Sequence, residues 1–304
     1  DYGTVDVTKA VTFYGSNFGT NPVDKSTASA ENFFDWSMSS DWNEVENTVL
    51  GSVNVLSGIS GSNLVFDGIT LSKNLYDNKR TTNDGKLNIT VVNSVINTPA
   101  PANANAIFLL DSVRAKTNAS TAFASTYTDT FTLKDVYVKA AATNQLFHEF
   151  NPNVVMDGVY LDAAKAGKKR TIISFFKTAP ANHVTVEIKN SSLRNGTNGS
   201  SLFQVTGSNS ASSGFDVVVE NNILYNAQGT TAPMFNIQPN YYVTKLDILN
   251  NTFIAPDVKS NLLAGYTAAL NGNITIKGNK FAGFTAANLD FSNLAYTGIE
   301  LEDT

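Results

Sequence analysis

The sequence predicts an all-β chain wound as a single-stranded parallel β-helix, a solenoid of about eight or nine coils. Three observations carry that prediction. A short apolar–x–apolar strand ending in Asn, Asp or Gly recurs along the chain, as in "VVVENNILYN" (217–226) and "LDILNNTFIA" (246–255). From Asp157 onward the marker residues Asn190, Asn221, Asn250 and Gly278 follow at steps of 33, 31, 29 and 28 residues, a near-constant period. No window sustains helical periodicity, while short strands alternate with Asn, Gly, Ser and Pro clusters.

The first unit is read in "AVTFYGSNFG" (10–19), and the next markers are Asp67 in "LVFDGITL", Asn93 in "ITVVNSVI" and Asp135 in "FTLKDVYV". Each marker stands between two strands, and a third follows about a dozen residues later. The third strands read "AIFLLD", "QLFHEF", "TIISFF", "SLFQVT", "PMFNIQ" and "NLLAGY". Stacked coils then place like residues in columns. Facing inward before the marker are Val91, Leu133, Val155, Ile188, Val219, Ile248 and Ile276. After it come Ile96, Tyr160, Leu193, Leu224, Phe253 and Phe281, and on the third strand Phe108, Phe147, Ile173, Phe203, Phe235 and Leu263. Burying one large side chain contributes roughly 1.5–3 kcal/mol, so each column is a reason for the repeat.

The Asn pairs mark corners. A tight corner needs left-handed or bridge backbone, which Asn, Asp and Gly adopt at least cost, and stacked Asn side chains can hydrogen-bond as a ladder. By the same phase Leu64, Phe66, Val92, Val154 and Met156 fall outward, apolar residues expected beneath an insertion. Two insertions break the period, "ENFFDWSMSSDWNEVEN" (31–47) and "SVRAKTNASTAFASTYTDT" (112–130). The first holds Trp36 and Trp42, each after an aspartate, and reads as a cap over the open end of the core. Its alternative is a sugar platform built from the two rings. The helix is assigned to residues 1–290, and 291–304 is read as a closing segment.

Composition narrows the function. Charged residues are 15% of 304 and the net charge is −5, with no long basic run, which argues against a nucleic-acid partner. Absence of cysteine excludes disulfides and thiolate metal sites, and two histidines are too few for a multi-histidine centre. No metal or other cofactor is expected; no spacing defines a calcium loop. No apolar run is long enough for a membrane helix.

Taken with "VEIKNSSLRN" and "ITIKGNKFAG", the recurrent "NNxFxN"-type phrases resemble the right-handed parallel β-helix proteins of the pectate-lyase-like superfamily. The likeness is greatest to bacterial members associated with glycan utilisation, often cell-surface lipoproteins. That resemblance implies a secreted or surface location and a polysaccharide partner, with the chain a monomer. It does not bring the catalytic signatures: a Trp–x–Asp–His strand, an Arg–x–Pro–x–x–Arg loop and the polygalacturonase Asn–Thr–Asp, Asp–Asp and Gly–His–Gly elements are all missing from the sequence.

The strongest candidate site is the third-strand outer face, where His148, Ser174, Gln204 and Asn236 form a polar stripe across successive coils. Beside it "AAKAGKKRT" supplies Lys165, Lys168, Lys169 and Arg170, the densest basic cluster. A basic loop beside a polar face suits an acidic glycan. Lys168, Lys169 or Arg170 would act as base or neutraliser, with His148 assisting, were the chain a divergent lyase. Glu149 reads as inward on the same strand, and His183 as a turn residue. Lys139, Arg194 and Tyr225 form a second outward column. The expectation is a non-catalytic polysaccharide binder, with a lyase and a structural spacer as alternatives.

Overall fold

The structure is a computed structural model, and it describes residues 1–28, 36–77, 86–99, 106–110, 130–141, 145–148, 153–163, 173–177, 184–195, 201–207, 215–226, 233–237, 243–255, 261–264 and 273–289. It is a parallel β-helix. Third strands stack as one 9-stranded sheet, from Val5–Lys9 through Ala106–Leu109, Gln145–His148 and Phe203–Gly207 to Leu263–Ala264. First and second strands share a 16-stranded sheet folded along its corner, with Asn88–Thr98 and Thr130–Ala141 running unbroken through the bend. Every pairing in these two sheets is parallel, each strand with its copy one coil away.

The third-strand column is as expected: Phe108, Phe147, Ile173, Phe203, Phe235 and Leu263 stand in one register, all buried. The corner is also built as its residues suggest, with a shift of one position in two coils. Gly68, Asn93, Asp135, Gly158, Asn190, Asn221, Asn250 and Gly278 all have φ between 48° and 70°. The corner residues of "LVFDGITL" and "VVMDGVYL" are therefore the glycines, not Asp67 and Asp157. Glycine takes a left-handed backbone at no steric cost, so it wins over the adjacent aspartate.

One residue of shift exchanges the faces of a strand. Leu64, Phe66, Val154 and Met156, expected outside, are core residues with no measurable exposure. Val155 lies outward and half-buried. Leu161, not Tyr160, pairs with Leu193 in the inner column. Val92 is outward as expected, opposite Asp67 and Lys134.

The second residue of each Asn pair turns inward and does different work. Asn222, Asn251 and Asn279 are about fully buried. Asn251 Oδ1 accepts from the backbone N–H of Asn222 at 2.9 Å and from Asn222 Nδ2 at 3.0 Å. Asn251 Nδ2 donates to the Val219 carbonyl at 2.8 Å. Asn279 repeats those bonds one coil on, and Ser191 and Ser94 fill the position with a hydroxyl in earlier coils. Backbone groups released by the turn are thus paired inside an apolar core, where leaving one unpaired costs about 1–3 kcal/mol.

The first insertion is not an end cap. It opens at the first coil's corner, after Gly15, and re-enters the second-strand register at Thr48, which pairs with Ile69. Between these points it runs as an arm along the outer side of the folded sheet, carrying a small antiparallel pair, Val23–Asp24 with Ser37–Met38. Among the described residues of the N-terminal coil, Tyr2, Val11, Tyr14 and Phe18 are exposed. At the other end Phe284 and Leu289 pack on the core, and the Asn288 carbonyl accepts from the Leu262 N–H at 3.0 Å. The second insertion (112–130), apart from Thr130, and the expected closing segment (291–304) lie outside the described residues.

Asn251→Ala removes four side-chain bonds at the buried ladder and is expected to lower unfolding free energy by about 2–4 kcal/mol in a denaturant titration. Asn251→Ser, which copies Ser191, should lose less than half as much. A loss under about 0.5 kcal/mol for the alanine variant, the range of an inert surface change, would refute the ladder's role.

Candidate functional site

The third strands bring the predicted stripe together at the level of the backbone. Ser174 pairs with Gln204, Gln204 with Asn236, and Asn236 with Ala264. His148 follows Phe147, whose partner Ile173 precedes Ser174, so His148 shares the register. Gln204 and Asn236 are half-buried, the state of an outward residue flanked by neighbours on a sheet. The column also continues toward the N-terminus through Leu109, Tyr76, Asn54 and Asp6. Asn54 Nδ2 donates to Asp6 Oδ1 at 2.7 Å, and burial raises the Tyr76 hydroxyl above its ordinary pKa. Leu109 is buried despite facing outward, an apolar interruption between Tyr76 and His148.

Tyr76 was not anticipated. Its coil has the short third strand Leu75–Tyr76, and "NLYDN" carries too little alternation to mark a strand alone. Counting one period back from "AIFLLD" would have found it. Lys165, Lys168, Lys169, Arg170, Glu149 and His183 lie outside the described residues.

The tryptophans belong to the arm and not to an open platform. Trp36 and Trp42 are 7% and 4% exposed, leaving neither ring a free face for a sugar. Trp42 Nε1 donates to the Asn93 carbonyl at 3.1 Å, and Trp36 packs on Tyr160, itself stacked on Tyr137 with centroids 4.7 Å apart. Val23 completes this cluster, which also touches Ile223 and Tyr225. Lys25 Nζ donates to the Asn190 carbonyl at 3.2 Å and stands 4.8 Å from the Trp36 ring. Asn21 Nδ2 donates to Asp135 Oδ1 at 3.1 Å. The arm therefore holds onto three corner residues, 93, 135 and 190.

The second outward column is Asp162, Arg194 and Tyr225, in one register. Arg194 grips Asp162 with both Nε and Nη2 while its guanidinium lies 5.1 Å from the Tyr225 ring. Desolvation, the largest single effect, works against this guanidinium, but the Asp162 hydrogen bond and charge, with Tyr225 and Tyr160, together outweigh it and hold the pKa above the usual arginine value. Lys139 does not join this column. It is the extra residue where register shifts between Val138 and Ala140, and it reaches Glu44 of the arm at 2.6 Å. Sequence spacing could not reveal that bulge.

Among the described residues no group of three or more His, Asp or Glu is placed to hold a metal ion, and no helix is long and apolar enough to cross a membrane. A scan against protein-family models found no match, and searches of curated proteins and of solved structures found no significant relative.

Asp135 links the arm to pH. Burial raises its carboxyl pKa; Lys134 opposes this, Asp157 reinforces it, and Lys25 and the Asn21 bond lower it again. The folded chain thus holds this proton more tightly than the unfolded chain. The resulting destabilisation is absent below the unfolded carboxylate range, grows as pH rises through the folded value, and is full above it. Asp135→Asn keeps a residue suited to left-handed backbone and removes the charge. Its Tm is expected to exceed that of the parent at neutral pH, with the gap closing below about pH 4. A gap that persists in acid would show that charge is not the cause.

Proposed function

We propose that the chain is a non-catalytic polysaccharide-binding β-helix of the bacterial cell surface, engaging its polymer along His148, Ser174, Gln204 and Asn236. The observation that carries this reading is their common backbone register: four polar residues at one strand position, spaced about 4.8 Å apart, match a linear ligand laid along the solenoid axis. Extension of the column to Tyr76, Asn54 and Asp6 lengthens the track available. The parallel β-helix fold agrees with the resemblance to the pectate-lyase-like superfamily, and the signatures missing from the sequence favour binding over cleavage. An acidic glycan fits best, because Lys165, Lys168, Lys169 and Arg170 follow the strand that precedes Ser174 in the chain. A secreted or surface location goes with such a partner.

The test is affinity-gel retardation by acidic and neutral polysaccharides, with ultraviolet detection of unsaturated uronate on the same samples. Retardation without product is expected, weakened about tenfold by Gln204→Ala or Asn236→Ala, the worth of roughly one hydrogen bond. Product lost in Lys168→Ala or Lys169→Ala would give the chain to the lyases instead. Neither signal with any polymer would leave a structural spacer.

A further inference from the structure

We draw no further inference here: the strongest candidate, the edge of the first coil, where the strands Val5–Lys9 and Thr12–Tyr14 stand last in their sheets among the described residues and Tyr2, Val11, Tyr14 and Phe18 form an exposed apolar patch, carries nothing because nothing in the structure shows what covers it.

Discussion

Left-handed backbone at one corner of each coil is the constraint on which the rest of this structure depends. Among the described residues, eight coils place a residue of positive φ there, each of them Asn, Asp or Gly. The turn it makes sets the phase of the strands on either side, and hence which side chains enter the core. It also frees backbone groups that the sheets no longer pair, and the chain meets that cost in two places. Inside, Asn222, Asn251 and Asn279 pass hydrogen bonds from coil to coil. Outside, the carbonyls of Asn93 and Asn190 accept from Trp42 and Lys25 of the arm. Corner, ladder and arm are therefore parts of one solution to a single backbone problem.

Close stacking at the corner also explains why the residue type varies there. A Cβ on Gly278 would come within 2.2 Å of Asn250 Oδ1, because the amide of the preceding coil leans across the next corner. At Gly158 the neighbour is Asp135 Oδ1, at 2.6 Å. Asparagine on one coil can thus require glycine on the next. That local exchange keeps the period of the array while blurring its motif, and it is why the repeat reads as degenerate.

The inner third-strand column and the existence of corners were legible from sequence because both repeat in every coil. The phase was harder at Asp67–Gly68 and Asp157–Gly158, where two residues able to turn left-handed stand side by side. Choosing the aspartate sent Phe66 and Met156 outward, although an outward run of large apolar residues was itself a warning. The arm was beyond reach for a different reason. Its docking depends on contacts such as Asn21 with Asp135 and Lys25 with Asn190, more than a hundred residues apart, and these have no periodic trace. Tryptophan beside aspartate reads in the sequence as part of an end cap, with a sugar platform as its alternative, whereas the Trp36 indole packs on Tyr160, itself stacked on Tyr137.

Inner and outer columns carry different kinds of information in such a fold. An inner column repeats because packing demands it: Phe253 stacks on Phe281 at 5.1 Å, and Phe13 on Phe66 at the same distance at the other end. Its regularity speaks of stability and says nothing about ligands. An outer column is held by the same strands whatever side chains it bears, since backbone pairing supplies the register and solvent accepts most polar groups. Charges stand on the outer face of the first strands throughout the array, as Asp67, Lys134 and Asp157 early and as Glu187, Lys189 and Glu220 later, while the residues beside them stay in the core. The character of an outer column is therefore not something folding imposes.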